Sequence, residues 1–432
     1  MILVDKALQF RQSVDNPIRV GIIGAGYMVV GLVNQIERYT PGMRVVAICN
    51  RTINKALHCY HQAGVNDSVV AHTADQVDSA ISKGQSVACS NFTLLAEADE
   101  IDIIVEATGT INYAATCVLQ AIKNRKPVVL LNAELDATLG PILKNYADQN
   151  GVILSGSDGD QPGVIMNLYR FVKGLGFEPL VAGNIKGFLD VHKNPEDMAD
   201  YARKAGQNVN MITSFTDGTK IAFEQASVAN ATGMSVSKRG MNGFRTTDHI
   251  DNLTSSYDIA ELKAMGGIVD YAVGPTPGPG VYVFATTEDP LSQHYLSYLK
   301  LGKGPLYSFY TPYHLCLLEV PNSIARVFHF HDEVMAPIGG PKVEVLAAAK
   351  KELRAGDTLD GFGGFTTYGV CENYQTSQVE NLLPIGLTDG VVLKNDIPKD
   401  HIITFNDIEL PQNNLAFQLY QEQQHSFSCV SV

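Results

Sequence analysis

Hydrophobic positions along the first 157 residues alternate between two textures. Short runs of β-branched and small apolar residues recur, each followed by a stretch whose apolar residues lie about three or four apart. IRVGII, from Ile18 to Ile23, has the pattern of a strand buried on both faces. Gly24 and Gly26 interrupt it, and a helical pattern follows with Met28, Leu32, Val33 and Ile36 on one side. RVVAIC (44–49) predicts a second strand, and a helix carrying His58 and Tyr60 follows it. IDIIVEATG (101–109) predicts a third strand. The series continues with a helix over 113–123, a strand over 127–132, a helix over 139–150 and a strand over 152–156. A leading helix is expected within residues 1–17. Strands alternating with helices predict a parallel, doubly wound sheet.

Beyond residue 157 the texture changes. GSDGDQPG reads as a glycine-rich loop feeding a helix, and VAGNIKGFL as another strand. Two helical segments flank TSFTDGTK, and residues 266–330, rich in Gly and Pro, read as strands and loops rather than long helices. From Gly339 onward, apolar strands alternate with charged turns, and the tail carries a helix with Leu415, Phe417, Leu419 and Tyr420. The expected fold class is α/β. It has an N-terminal Rossmann domain (1–157), an α+β central domain for substrate, catalysis and oligomerisation (158–338) and a small β-rich C-terminal domain (339–432).

Composition narrows the function. With 432 residues, 45% apolar and 18% charged, the chain can bury a sizeable core. A net charge of -13 argues against nucleic acid as partner, since phosphate binding needs a basic face. The seven cysteines are scattered and no pair has CxxC spacing, so neither a zinc site nor a disulfide framework is suggested. The start lacks the apolar run of a signal peptide and no stretch is apolar enough to span a membrane, which makes the expected setting cytoplasmic, with no membrane partner. A homo-oligomer, dimer or tetramer, is expected.

GIIGAGYM (21–28), lying directly after a strand and opening a helix, carries the first chemistry. Gly24 permits the tight turn, Gly26 lets the backbone approach a pyrophosphate, and the helix N-terminus faces the phosphates. Ala25, Tyr27 and Met28 complete the turn. The third glycine of a GxGxxG pattern would fall at position 29, which is Val, with Gly31 two residues on. A glycine turn without a ligand is the plain alternative. At the end of the second strand, where NAD-specific sites carry an acid, stand Asn50 and Arg51. Asn50 does not repel a 2′-phosphate, and Arg51, with Thr52 and Lys55, suits one; NADP(H) is the expected coenzyme. Ala107, Thr108 and Gly109 close the next predicted strand, where small residues fit beside the nicotinamide ribose, and Asn132 ends the one after.

The run GIIGAGYM, VEATGT, VVLLNAELDATLG, GSDGDQPG and GNIKGFLD resembles homoserine dehydrogenase-like oxidoreductases that carry a C-terminal SAF domain. Within that group the chain resembles the deoxyxylulose-phosphate reductoisomerase-like branch, and KKELRAGDTLDG and NDIPKDHIITFNDIEL resemble the SAF domain. The resemblance covers nearly the whole chain. It implies NADPH-dependent conversion of a small phosphorylated carbonyl compound, with 1-deoxy-D-xylulose 5-phosphate to 2-C-methyl-D-erythritol 4-phosphate as one member reaction, a step of isoprenoid biosynthesis. The Asn-Lys pair of true homoserine dehydrogenases is absent, because Asn132 is followed by Ala133 and Glu134, so homoserine itself is not the expected substrate.

Reducing such a compound needs a group to polarise the carbonyl oxygen and cations to hold an anion. Lys186, among glycines at the end of an apolar strand, is the first candidate for proton donor or oxyanion stabiliser. Asp217, Lys220 and Glu224 are spaced to share a helix face if the helix starts early. Lys238, Arg239 and Lys303 lie in glycine-containing loops suited to a substrate phosphate. Asp158 and Asp160 have the DxD spacing that aims two carboxylates at Mg²⁺ or Mn²⁺, and the resemblance implies an acidic metal site near this place. For each, solvated loop charge or ordinary turn chemistry is the alternative. His329 and His331 are expected on one face of a strand in a structural role, and His192, His249 and His314 are dispersed. Two rival readings stay open: a dehydrogenase of an unphosphorylated hydroxy or amino acid, and a non-catalytic dinucleotide-sensing protein.

Overall fold

Ile18–Ile23 forms β1 at the centre of a seven-stranded sheet in a computed structural model that describes residues 2–428. The other strands are β2 (Met43–Cys49), β3 (Ser68–Val70), β4 (Ser86–Cys89), β5 (Ile103–Glu106), β6 (Val128–Leu130) and β7 (Leu154–Gly156). Their order is β3-β4-β2-β1-β5-β6-β7, and every neighbouring pair is parallel. The chain lays β2, β3 and β4 on one side of β1, with β4 inserted between β2 and the edge strand β3, and returns to add β5 on the other, which makes the β1–β5 junction a topological switch point. Ile18, Val20 and Ile22 are fully buried with Leu32, Val33 and Ile36 of the helix Tyr27–Tyr39. Met28 stands off that face, and Val29 takes the buried position expected of it.

β3 and β4 are strands the sequence reading missed. At three and four residues, and containing Ser, Ala and Cys, they carry no run long enough to register. The helix expected from 139 starts at Ala133 and runs to Gln149, with Pro141 inside it. The side chain of Gln423, from the helix Leu415–Ser428, inserts beside that proline. Its Oε1 accepts the Ile142 N–H (3.1 Å) and its Nε2 donates to the Thr138 carbonyl (3.2 Å), the two groups that would close this rung of an unbroken helix.

Two compact units divide the chain. The first holds the described residues up to Asp160 together with Leu315–Ala336 and Gln418–Ser426. The helix Val320–Phe330 therefore joins the core of the parallel sheet through Val320, Ile324 and Val327. This corrects the strand expected around His329 and His331: His329 is helical and His331 is the left-handed residue that ends the helix. Pro321 in its first turn and buried positions three and four apart explain why it is helical.

The second unit holds Gln161–His314 and Pro337–Phe417. It contains a five-stranded sheet of β8 (Glu178–Lys186), β9 (Phe244–Arg245), β10 (Ile268–Val273), β11 (Gly280–Thr286) and β12 (Leu306–Thr311), in the order β12-β11-β8-β10-β9. β8, β10 and β9 are parallel, while β11 and β12 run antiparallel. The almost wholly buried helix Thr219–Thr232 packs on this sheet. A small antiparallel pair, β13 (Val343–Ala349) and β14 (Thr367–Asn373), packs against the same helix: the Gly369 N–H donates to the Thr219 hydroxyl at 2.8 Å. The six described cysteines are free, and Cys429 lies outside the described residues. No described helix is long and apolar enough to cross a membrane.

Candidate functional site

The glycine turn has the geometry a dinucleotide needs. Gly24 sits at φ +112°, and a Cβ there would fall 2.6 Å from the Ala107 carbonyl oxygen, so only glycine fits. A Cβ on Gly26 would meet nothing within 4 Å, which leaves open space at the helix N-terminus. That helix has no side-chain cap and no acid in its first turn, so its N–H groups and dipole are left for an anion. Gly31 does what the absent third glycine would do: a Cβ there would lie 2.8 Å from Leu317, so the close packing is against a neighbouring segment instead of the sheet. Ala25 is buried, while Tyr27 is exposed beside the turn.

Asn50 follows β2 and turns its amide onto the Thr52 carbonyl (2.9 Å), which shapes the loop. Arg51 is exposed and makes no ion pair among the described residues. Ala107 bonds back to Ile23 of β1, and Thr108 and the left-handed Gly109 continue the loop. Asn132 is buried and fully engaged: it caps the helix through the Leu135 N–H (3.0 Å) and donates to Glu106 and to the Thr110 carbonyl, both at 2.8 Å. Glu106 itself was missed by the sequence reading, which quoted VEATGT only as a motif.

In the second unit Lys186 ends β8 and stands opposite Val273 of β10. Its ammonium reaches Gln161 Oε1 and lies 3.3 Å from Glu224 Oε2. Asn184, two residues earlier and therefore on the same face, donates to Glu224 Oε2 at 2.7 Å. Gln161 is fixed from its other end by the Gly280 carbonyl (2.9 Å). Glu224, Asn184 and Gln161 are buried, whereas the Lys186 side chain keeps 17% of its surface exposed. Lys220 is buried one turn before Glu224 on the same helix. Asn184 and Gln161 were not singled out from the sequence, where neutral amides carry no distinguishing spacing.

Asp217 leaves this group. The helix begins only at Thr219, so Asp217 caps the preceding helix, Val209–Thr216, and pairs with Lys350 Nζ at 2.8 Å. Burial pushes its carboxyl up, opposed by Lys350. Lys350 also donates to the carbonyls of Lys193 and Gly364, and the pair is a structural tie. Arg239 is held between Glu372 and Glu380, each at 2.7 Å, which neutralises the charge expected to take a phosphate. Lys238 and Lys303 are exposed.

The DxD pair does not fit a metal. Asp158 is buried, accepts the Gly159 N–H (2.8 Å) and has the guanidinium of Arg326 3.9 Å from its other oxygen, where a dication would be repelled. Among the described residues, no group of three or more His, Cys, Asp or Glu side chains is placed to hold a metal ion.

Comparison with known proteins gives two family matches. Residues 21–155 match the family model "Homoserine dehydrogenase, NAD binding domain", and residues 159–320 match "Oxidoreductase DRL, catalytic domain". The chain thus carries an NAD(P)-dependent oxidoreductase fold, with a nicotinamide dinucleotide as coenzyme. No curated protein matches it. Among solved structures, it is similar to a scyllo-inositol dehydrogenase from Lactobacillus casei (12% identity, covering 74% of this chain and 92% of that one, TM-score 0.41). It is also similar to a 1-deoxy-D-xylulose 5-phosphate reductoisomerase from Zymomonas mobilis (18% identity, 49% and 57% covered, TM-score 0.34). The chain spans 43% of an NAD binding oxidoreductase from Klebsiella pneumoniae (15% identity, 40% of this chain, TM-score 0.28). All three TM-scores lie below 0.5.

Proposed function

We propose that this chain is an NADP(H)-dependent oxidoreductase of a small anionic hydroxy or keto compound, with Lys186 as the group that binds and protonates the substrate oxygen. The observation that carries the reading is the Lys186 cluster. A strand-end ammonium is held by Gln161 and Glu224, which are themselves fixed by Gly280 and Asn184, on a side chain that is not fully buried. Such pre-organised cations stabilise developing negative charge on oxygen. When bound, the coenzyme supplies or accepts the hydride. In reduction, Lys186 donates a proton to the oxygen that has become an alkoxide, and Glu224 steadies the ammonium before and after transfer. Lys186 and Lys220 supply the local positive charge for an anionic substrate. Arg51, exposed and without an ion pair among the described residues, supports NADP(H) over NAD(H).

The reading divides the chain by role: coenzyme in 1–157, substrate and homo-oligomer assembly in 158–338, and a SAF-like region in 339–432. The first substrate to test is 1-deoxy-D-xylulose 5-phosphate. Oxidation of NADPH is followed by absorbance with a panel of sugar phosphates, and separately with homoserine and its aldehyde. Turnover with one phosphate ester and not with the unphosphorylated compounds is expected. A specific observation favours the second reading, an unphosphorylated hydroxy acid: Arg239 is neutralised by two carboxylates. Turnover confined to unphosphorylated compounds would establish that one, and no turnover with any member of the panel would remove the reductase reading.

A further inference from the structure

Glu106 is a charged group at full burial in the coenzyme-binding unit, and the chemistry above does not use it. It ends β5 in register with Ile23 of β1, the residue before the glycine turn. Its Oε1 accepts the N–H of Thr108 (2.8 Å) and the hydroxyl of Thr108 (2.5 Å), and its Oε2 accepts the amide of Asn132 (2.8 Å). The Thr108 hydroxyl is in turn 2.9 Å from the hydroxyl of Thr110, an exposed residue. A continuous hydrogen-bonded chain therefore runs from a buried carboxyl through two rotatable hydroxyls to solvent. Hydroxyls donate and accept, so such a chain passes a proton when both turn over.

The titratable groups facing Glu106 are Glu134, on the helix Ala133–Gln149, and Cys117, on the helix Asn112–Lys123. Neither is a cation. Burial, reinforced by Glu134 and opposed by the Thr108 and Asn132 hydrogen bonds, pushes the Glu106 carboxyl up to about 7. In a doubly wound sheet the pyrophosphate lies at the first strand's turn and the adenosine ribose at the end of the second strand. The nicotinamide half then falls on the opposite side of β1, where β5 places Glu106.

We infer that Glu106 couples the redox state of the coenzyme to a proton. The oxidised nicotinamide ring is cationic and favours the ionised carboxylate; the reduced ring is neutral and lets the carboxyl keep its proton. Binding of NADP⁺ to the protonated protein then releases one proton from Glu106 Oε1 through Thr108 and Thr110 to solvent, and binding of NADPH releases none from Glu106. Glu106 is a charge-positioning residue here, and the inference rests on the coenzyme reading of this unit.

The test is titration calorimetry of the full chain with NADP⁺ and NADPH, from about pH 5.5 to 8.5, in two buffers of different ionisation enthalpy. Both coenzymes carry the same 2′-phosphate, so its own titration cancels in the ratio of their affinities. The expected result is an NADP⁺ affinity that rises roughly tenfold relative to NADPH as pH increases through the Glu106 transition. Near pH 6 the NADP⁺ enthalpy should also depend on the buffer more strongly than the NADPH enthalpy does, since the 2′-phosphate contributes equally to both, and Glu106→Gln should flatten the ratio. A ratio independent of pH in the unaltered protein overturns the inference, as does a slope that survives Glu106→Gln. If that variant does not fold, the difference in buffer dependence between NADP⁺ and NADPH in the unaltered protein decides alone, and equal dependence overturns the inference. Tight binding of both coenzymes with no more proton release for NADP⁺ than for NADPH removes this inference and leaves the coenzyme reading intact; binding of neither removes both.

Discussion

At the scale of single residues, two charges in this chain are buried for opposite ends, and each has its own signature. Lys186 is mostly enclosed and steadied by Glu224 and Gln161, so truncating it removes the proposed proton donor together with the cation beside buried Glu224. Lys186→Ala is expected to lower turnover by roughly 10²–10³-fold, the range for loss of a general acid, with coenzyme affinity nearly unchanged. A variant with full turnover and intact coenzyme binding would leave Lys186 without its role. Glu106 is a matter of stability as well as of coenzyme charge. Its folded carboxyl, at about 7, stands above the ordinary 4.5, so the folded chain binds that proton more tightly than the unfolded chain does. Below about pH 4.5 both states are protonated and nothing is lost. Between that value and about 7 the unfolded chain ionises first, and stability falls as pH rises before levelling off. The span corresponds to about 3 kcal/mol. Urea midpoints of the apo protein across this range should therefore decline more steeply than those of Glu106→Gln, and equal slopes for the two would contradict the assignment.

At the scale of elements, legibility followed hydrophobic run length. β1 and β2 are six and seven residues of nearly continuous apolar chain, and the sequence located both within a residue or so. β3 and β4 were invisible because three or four residues of Ser, Val, Ala and Cys acquire strand character only from the neighbours that pair with them. The helix Ala133–Gln149 was cut short in the reading for a reason of the same kind. Its first turn contains buried Glu134 and Asp136, and Gly140 and Pro141 look like a terminator. What keeps it continuous is a side chain 281 positions away, Gln423, whose carboxamide bridges the rung that the proline weakens. No local pattern could announce that. Replacing Gln423 with Leu keeps the bulk and leaves a buried N–H and carbonyl without this partner, at a cost of about 2 kcal/mol. Thermal denaturation of Gln423→Leu should show that loss, while the conservative Gln423→Met should be no better, since the amide and not the volume is the working part. If Met restored stability, packing would be the explanation and the bridge would be incidental.

At the scale of the molecule, the chain does not assemble in the order in which it is written. The segment Leu315–Ala336 returns to the parallel sheet after the whole of the five-stranded sheet has intervened, and Val320, Ile324 and Val327 complete its core. Sequence texture changes where composition changes. It signals the switch after residue 157, but it carries no trace of a segment that belongs to a core begun more than a hundred positions earlier. The site shared this limit. The glycine turn and Lys186 were legible because their meaning is local, whereas the split of Asp217 from Lys220 and Glu224 depended on Lys350, from the far end of β13. That pair now defines a test of how residues 337–417 are built into the second unit. Asp217 and Lys350 are both essentially without solvent exposure, and the ammonium satisfies two carbonyls besides the carboxylate. Removing one partner strands the other as an uncompensated buried charge, which typically costs about 3–5 kcal/mol. Lys350→Met should accordingly unfold the second unit at markedly lower denaturant. Adding Asp217→Asn to it should return part of the loss, because the residual charge is gone. A double variant as unstable as the sum of the two single variants would mean that the pair is not coupled, and that β13 and β14 are held to the helix Thr219–Thr232 by packing and the Gly369–Thr219 bond alone.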